Sequence, residues 1–162
     1  ELISLGITRA IRVGTCGALD PALALGDLVV ARAAIAADGT SAALGVEELA
    51  YADPTLTDAL AREIASQREG ASREGTIAST DLFYERDSTR NAGWKAEGAL
   101  AVEMEAATLF AVGANAAIPV ACLLAVSDTF DGPDERVHID DRVLARAAEA
   151  MGSIALAALS GV

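Results

Sequence analysis

Short apolar runs alternate along the chain with segments whose apolar residues recur every three or four positions. The runs predict buried β-strands at residues 10–13, 26–37, 74–80, 99–102 and 119–127. A helix is predicted to begin at Pro54 and to end at Gly70, because Leu56, Leu60 and Ile64 share one helical face. The spacing predicts further helices at residues 88–97, at 104–116 and along a C-terminal face of Val143, Ala147, Met151, Ile154 and Ala158. Residues 40–53 and 128–141 are predicted to be loops.

The alternation of strands and helices predicts an α/β domain. Several strands are continuously apolar, which is typical of a sheet covered by helices on both faces. Residues 1–162 contain no internal repeat and no low-complexity linker, so a single domain is expected. The chain opens with Leu2, Ile3 and Leu5 before Gly6, the pattern of a last helical turn with its glycine cap. We therefore expect the sequence to begin inside an element and to be a fragment.

Charge and hydropathy exclude several classes of partner. The net charge of −12 and the isoelectric point of about 4.3 have the wrong sign for a protein that binds the nucleic-acid backbone. A mean hydropathy of +0.36 permits a sizeable core. Polar residues or Gly interrupt each apolar stretch well before 18 residues, so no membrane-spanning helix and no membrane partner are expected. Cys16 and Cys122 make no disulfide framework, and a reducing, cytoplasmic setting is expected.

The first predicted strand is followed by a glycine-rich stretch in which chemistry can sit. Ligands of α/β sheets bind beyond the carboxyl ends of the strands. Gly14 and Gly17 would let backbone N–H groups approach an anion, Thr15 would add a hydroxyl donor, and Arg12 would offer a planar fork for phosphate. On these residues alone, a glycine turn with Arg12 paired to an acid is the favoured alternative. The spacing is neither a Walker loop nor a dinucleotide fingerprint, which disfavours a dinucleotide-binding oxidoreductase.

Carboxylates mark two further strand ends. Glu103 and Glu105 flank Met104 at a predicted strand-to-helix junction. A carboxylate there can accept hydrogen bonds from sugar hydroxyls, or it can simply complement the helix dipole. Ser127 and Asp128 follow a buried apolar strand, where a carboxylate can act as a general acid in a desolvated cleft or can cap a turn.

Two adjacent aromatic residues, Phe83 and Tyr84, stand out in a chain that has only six. Core packing is one interpretation of the pair. A stacking platform for a flat ligand is the sharper interpretation.

Taken in order, these segments resemble the nucleoside phosphorylase family, which includes the hexameric purine nucleoside phosphorylases and the uridine phosphorylases. The resemblance covers nearly the whole chain. Six blocks carry it: Arg12-Val13-Gly14-Thr15-Cys16-Gly17-Ala18, Gly26-Asp27-Leu28-Val29-Val30, Asp38-Gly39-Thr40-Ser41, Asp81-Leu82-Phe83-Tyr84, Val102-Glu103-Met104-Glu105-Ala106 and Ser127-Asp128. It implies a three-layer α/β/α fold with a central mixed, partly barrel-like sheet, truncated here at its N-terminus.

The resemblance also implies a reaction and a role for each block. The expected reaction is phosphorolysis of the N-glycosidic bond of purine nucleosides, giving free base and (deoxy)ribose 1-phosphate, with inorganic phosphate as co-substrate and no metal or organic cofactor. The resemblance implies that the phosphate ligands are Arg12, Val13, Gly14 and Thr15. It implies that the nucleoside is surrounded by Cys16, Gly17, Phe83, Val102, Glu103, Met104, Glu105 and Ser127, with Glu105 on the ribose hydroxyls. Asp128 resembles the acid that faces the purine, assisted by an arginine for which Arg142 is the candidate and Arg136 and Arg146 are alternatives.

Several alternatives remain within and beyond this family. Asp128 favours purine nucleosides over uridine, a methylthioadenosine phosphorylase remains possible, and related nucleosidases share the Val-Glu-Met-Glu block but use water. A homo-oligomer, a hexamer built as a trimer of dimers, is implied. Family members carry a Gly-Asp-Pro phosphate loop ahead of the position of Glu1, so an inactive fragment that keeps only fold and oligomer contacts is the non-enzyme alternative. His138, the only histidine, is expected at the surface.

Overall fold

A computed structural model describes residues 1–67, 72–84, 87–130 and 136–162. Within these ranges it has seven strands, β1 (Ala10–Ala18), β2 (Leu28–Ala37), β3 (Leu49–Tyr51), β4 (Ser72–Thr80), β5 (Ala101–Glu103), β6 (Val120–Phe130) and β7 (Arg136–His138). The helices are α1 (Gly39–Ala43), α2 (Pro54–Gln67), α3 (Ser88–Ala96), α4 (Ala106–Ala116) and α5 (Asp141–Ser160). A short 3-10 turn, Ile3–Leu5, ends at Gly6 with φ of 86°, which is the glycine-capped turn that the sequence predicts.

The strands form one mixed sheet in the order β3-β2-β4-β5-β1-β6-β7. Strands β1–β6, β2–β4 and β4–β5 pair in parallel, and the remaining pairs are antiparallel. An additional pairing of β2 with β6 closes β2, β4, β5, β1 and β6 into a five-stranded barrel. The predicted α/β class with a mixed, partly barrel-like sheet is therefore confirmed.

The central strand β6 is buried on both of its faces. Leu123 belongs to a core cluster with Leu60 of α2 and Met151 of α5, whereas the next residue, Leu124, packs with Phe110 of α4 in a different cluster. Successive side chains of a strand point to opposite faces, so each apolar residue of β6 serves one of two cores. This explains why its sequence is continuously apolar rather than alternating.

The C-terminal helix α5 is long and apolar enough to span a membrane by length and composition, contrary to the expectation from uninterrupted apolar runs. Its Met151, Ile154 and Ala158 are buried in the core cluster shared with α2 and β6. Of the apolar stretch of α5, 28% is buried, so the helix packs one face against the domain. The face predicted from the sequence is the one that α5 buries.

Two segments depart from the predicted elements. Residues 40–53 are not all loop, because α1 begins at Gly39 behind an Asp38 cap and β3 adds an antiparallel edge to β2. The segment 128–141 begins inside β6 and contains β7. Elements this short carry too few residues for a periodic signal, and β3 and β7 are held by pairing with a longer neighbour. The predicted end of α2 at Gly70 lies outside the described residues.

Candidate active site

A cavity of about 490 Å³ opens at the carboxyl ends of β1, β4, β5 and β6. This is the position at which α/β sheets bind ligands. Its wall is completed by Arg136, His138, Ile139 and the first turn of α5. Most of the site residues predicted from the sequence line it together: Arg12, Thr15, Cys16, Gly17, Phe83, Val102, Glu103, Met104, Glu105, Ser127 and Asp128. Val13, Gly14 and Arg142 do not line it.

The glycine-rich stretch is strand, not turn. β1 continues through it to Ala18, and Gly14 pairs with Leu124 in the parallel ladder with β6. The predicted strand end at Val13 and the alternative interpretation of residues 14–17 as a glycine turn are therefore wrong, because these residues are extended. Gly14 has another role: a Cβ at this position would lie 2.9 Å from a terminal nitrogen of Arg12. The guanidinium folds back over the space that a side chain would fill.

A β-bulge shapes the opposite wall. Cys16 pairs with Val126 but Gly17 pairs with Asp128, so Ser127 is an extra residue in β6. Such a bulge changes the direction in which side chains point and is common beside functional sites. The Ser127 hydroxyl donates a hydrogen bond of 2.7 Å to Asp128 Oδ2.

Arg12 joins two carboxylates of the Val-Glu-Met-Glu block. Its Nε lies 3.2 Å from Glu103 Oε2, and its Nη2 lies 2.5 Å from Glu105 Oε2. The two acids differ in burial, because the side chain of Glu103 is 1% exposed and that of Glu105 is 55% exposed. The alternative that pairs Arg12 with an acid thus holds in this structure. Met104 lies between the two carboxylates and also lines the cavity.

Asp128 is buried and is surrounded by potential proton and charge partners. Arg136 Nε lies 3.1 Å from Asp128 Oδ1, close enough for an ion pair, but it is not aligned for a hydrogen bond. His138 Nδ1 contacts the same oxygen, although most of its side chain is exposed as expected. Both groups come from β7, whose antiparallel register places His138 opposite Asp128. A carboxyl group held in this way lines the cavity at a fixed position, where it can form hydrogen bonds with a ligand.

The aromatic pair lies on the surface rather than in the core. Phe83 and Tyr84 are 53% and 83% exposed, and their rings meet edge to face with centroids 4.9 Å apart. The Arg136 guanidinium lies 4.5 Å from the centre of the Phe83 ring, within cation–π range. Of the two interpretations, core packing is wrong for both residues. Phe83 lines the cavity and has a ring face with which a flat ligand can stack.

The arginine beside Asp128 is Arg136. Arg142 is exposed in the first turn of α5, where its backbone N–H donates to the Asp140 cap, and Arg146 is exposed one turn further on. In this structure Arg136 and not Arg142 lies beside Asp128, because β7 pairs with β6 next to the cavity, whereas the Arg142 side chain does not line it. The prediction also missed five lining residues: Thr80, Leu82, Ile139, Asp141 and Leu144. For Thr80 the signal was available, because it ends a predicted strand.

The cavity contains one cysteine, but not a reactive one. Burial, together with the nearby charge of Glu103, raises the pKa of the Cys16 thiol to about 12. A thiol with this pKa is protonated at neutral pH and is a poor nucleophile or metal ligand. Within the described parts of the chain, no three His, Cys, Asp or Glu side chains are grouped as a metal site requires.

Comparison with known families agrees with the fold and the site. The family model described as Phosphorylase superfamily matches residues 1–160. The chain belongs to this superfamily. Among curated superfamily relatives, the purine nucleoside phosphorylase DeoD-type of Alkaliphilus metalliredigens (strain QYMF) is 36% identical over 133 residues, which cover 80% of this chain and 56% of the relative.

Two other relatives are similar to the chain at the same level. The purine nucleoside phosphorylase DeoD-type of Dichelobacter nodosus (strain VCS1703A) is 39% identical over 132 residues, 79% of this chain and 55% of the relative. The guanosine phosphorylase of Halorubrum lacusprofundi is 38% identical over 115 residues, 69% of this chain and 46% of the relative. The chain thus spans about half the length of the curated superfamily relatives that it matches.

Proposed function

We propose that the complete protein catalyses phosphorolysis of the N-glycosidic bond of purine nucleosides, giving free base and (deoxy)ribose 1-phosphate. The observation that carries the proposal is that Arg12 and buried Asp128 line one cavity at the carboxyl ends of the barrel strands. One is a cation suited to phosphate, and the other is an acid suited to a departing base. The names of the relatives, purine nucleoside phosphorylase and guanosine phosphorylase, support the same reaction.

The reaction separates charge, and the site residues can stabilise both parts. As the bond between C1′ and the base nitrogen breaks, its electron pair goes to the base and the pentose becomes an oxocarbenium-like cation. A phosphate oxygen held by Arg12 and Thr15 forms the new bond to C1′. Asp128 donates a proton or a hydrogen bond to the base as negative charge develops on it. These are electrostatic and acid–base contributions, and they require no metal or organic cofactor.

The remaining lining residues match the parts of a nucleoside. Exposed Glu105 can accept hydrogen bonds from ribose hydroxyls, and Met104 can pack on the sugar. Phe83 offers a ring face to the base. Cys16, Gly17 and Val102 provide an apolar wall against which a planar base can pack. We assign to Ser127 the role of orienting Asp128, because its hydroxyl donates a hydrogen bond to Asp128 Oδ2.

The proposal extends to the setting of the enzyme. The substrates are a purine nucleoside and phosphate, and the complete protein is proposed to act in the cytoplasm as a homo-oligomer, a hexamer built as a trimer of dimers. Neither a nucleic-acid polymer nor a membrane is a proposed partner, in keeping with the net charge of −12.

The decisive experiment follows the pentose product. The complete protein is incubated with inosine or adenosine, with and without inorganic phosphate, and the products are resolved by phosphorus NMR and by chromatography of the free base. We expect base release only with phosphate or arsenate, and stoichiometric pentose 1-phosphate with phosphate. Release of free pentose at the same rate without phosphate would instead identify a nucleosidase. Absence of both products, together with no heat of phosphate binding, would identify a non-catalytic protein.

A further inference from the structure

The carboxylate of Glu103 has its hydrogen-bonding capacity filled by the protein itself. Oε1 accepts the hydroxyl of Ser79 at 2.5 Å and the Ala106 N–H at 3.0 Å. Oε2 accepts the Glu105 N–H at 2.9 Å and Arg12 Nε at 3.2 Å, and the Ala106 N–H is shared with it at 3.0 Å. A carboxylate has about four lone-pair sites, so no strong acceptor position is left for a ligand.

These contacts join the parts of the site that must keep a fixed geometry. The two backbone N–H groups belong to the start of α4, where orphan helix donors need an acceptor. Ser79 is the last residue but one of the neighbouring strand β4, and its hydroxyl oxygen in turn accepts the Ala107 N–H at 2.9 Å. Glu103 therefore connects β4, β5 and α4 to the guanidinium of Arg12 on β1. Because its side chain is 1% exposed, this connection is shielded from solvent.

We propose that Glu103 is a positioning residue, which holds Arg12 in the orientation that receives phosphate and does not itself contact the nucleoside. This inference rests on the proposed function. It departs from the expectation that Glu103 is one of the residues that contact the nucleoside. Arg12 has a planar fork of donors, and Glu103 occupies its Nε edge. The terminal Nη2 is paired with the exposed Glu105. A buried partner on Nε and an exposed, replaceable partner on a terminal nitrogen is the arrangement that an anion site needs.

The test is Glu103→Gln in the complete protein, which keeps the shape of the side chain and removes its charge. We expect the KM for phosphate to rise about tenfold or more, with the KM for the purine nucleoside within about twofold of wild type. Calorimetry with inorganic phosphate gives the same comparison without turnover. An increase confined to the nucleoside KM would identify Glu103 as a nucleoside ligand and overturn the proposal. Unchanged constants for both substrates would overturn it as well.

A matched control separates positioning from general destabilisation. Asp38 is another buried carboxylate that caps a helix, where it accepts the Ser41 N–H at 2.7 Å. It also accepts the Thr108 hydroxyl of α4 at 2.9 Å. Unlike Glu103, it does not line the cavity. Asp38→Asn is expected to lower the melting temperature but to leave the phosphate KM within about twofold. An equal rise in the phosphate KM for both variants would overturn the proposal.

A milder variant keeps the test informative if Glu103→Gln does not fold. Ser79→Ala removes one hydrogen bond to Glu103 and leaves the ion pair with Arg12 in place. We expect a smaller change in the same direction, with the phosphate KM rising and the nucleoside KM unchanged. The reverse pattern would overturn the proposal. Loss of phosphate dependence in the wild-type protein, by contrast, would contradict the proposed function and not the geometry of Glu103.

Discussion

Arg12 and Glu105 form an ion pair at the open side of the cavity, with Nη2 and Oε2 2.5 Å apart. The Glu105 side chain is 55% exposed, so solvent screens this pair and little free energy opposes its opening. Because Glu103 pairs with Nε of the same guanidinium, two carboxylates already balance the charge of Arg12. If the proposed function holds, an incoming phosphate has to compete with Glu105 for Arg12. Ribose hydroxyls on Glu105 would favour that exchange.

Glu105→Gln is expected to strengthen phosphate binding in the absence of nucleoside, by about two- to fivefold, because a competing charge at an exposed site is removed. The same substitution is expected to raise the KM for the nucleoside, since an amide is a weaker acceptor for ribose hydroxyls. Calorimetry with phosphate and steady-state kinetics measure the two effects. As a control, Glu149→Gln removes one negative charge from an exposed position on α5. It should alter neither the phosphate affinity nor the nucleoside KM. Weaker phosphate binding in the Glu105 variant would show that the carboxylate does not compete for Arg12.

Asp128→Asn is expected to lower kcat on purine nucleosides by about 10²- to 10⁴-fold, because the amide cannot give a proton to the departing base. Phosphate affinity is expected to stay within about twofold, since Arg12 carries that contact. Asp20→Asn provides the matched change outside the cavity, at a carboxylate that accepts the Ala22 N–H in a turn. Parallel losses in kcat and in phosphate affinity would point to a structural role for Asp128.

The two candidate arginines can be tested against each other. Arg136 lies beside Asp128 and over Phe83, whereas Arg142 is exposed at the start of α5. We expect Arg136→Met to lower kcat about tenfold more than Arg142→Met does, because a charge 3.1 Å from the carboxylate acts on it directly. A larger loss with Arg142→Met would assign the assisting role to α5 instead.

The sequence predicts the strands and helices of the fold better than it predicts the closure of the sheet into a barrel. Continuous apolar runs such as that of β6 identify strands covered on both faces, and the spacing of Leu56, Leu60 and Ile64 identifies α2. Pairing of β2 with β6 depends on contacts between distant segments, which no local pattern encodes. Gly14 and Gly17 are ordinary turn signals in a sequence. In this structure both lie in β1, and Gly14 leaves room for the guanidinium of Arg12.

The site is predictable to the extent that its residues sit at strand ends. Charged residues in or beside apolar strands indicate candidate site residues, and this signal identifies Glu103, Asp128 and Arg12. The bulge at Ser127 has no such signal, because it is a register difference between two strands. The sequence does not single out Arg136 among the three candidate arginines, because its place beside Asp128 depends on the antiparallel pairing of β7 with β6.

The buried Cys16 predicts a loss of stability at alkaline pH. Its folded pKa is about 12 against an ordinary value of 9.0, so the folded state retains a proton that the unfolded chain releases. The contribution to stability is full below pH 9.0 and is lost as pH rises from 9.0 towards 12, by at most about 1.4 kcal/mol per pH unit. Denaturant unfolding between pH 8 and 10.5 should show a smaller decline for Cys16→Ala. Identical slopes for the two proteins would contradict the assignment to Cys16.

Gly113 and Gly93 are both helical glycines, yet alanine should have opposite effects at the two positions. A Cβ at Gly113 would lie 2.5 Å from Val120 Cγ2 and 2.8 Å from the Ile118 carbonyl oxygen, and the backbone at Ile118 cannot yield as a flexible side chain does. Gly113→Ala should therefore cost about 1–3 kcal/mol of unfolding free energy by forcing α4 away from β6. Gly93 in α3 has open space where the Cβ would stand, so Gly93→Ala should add about 0.4–1 kcal/mol by restricting the unfolded chain. Chemical denaturation of both variants measures the difference, and a stabilised Gly113→Ala would mean that α4 and β6 are less closely packed than the structure has them.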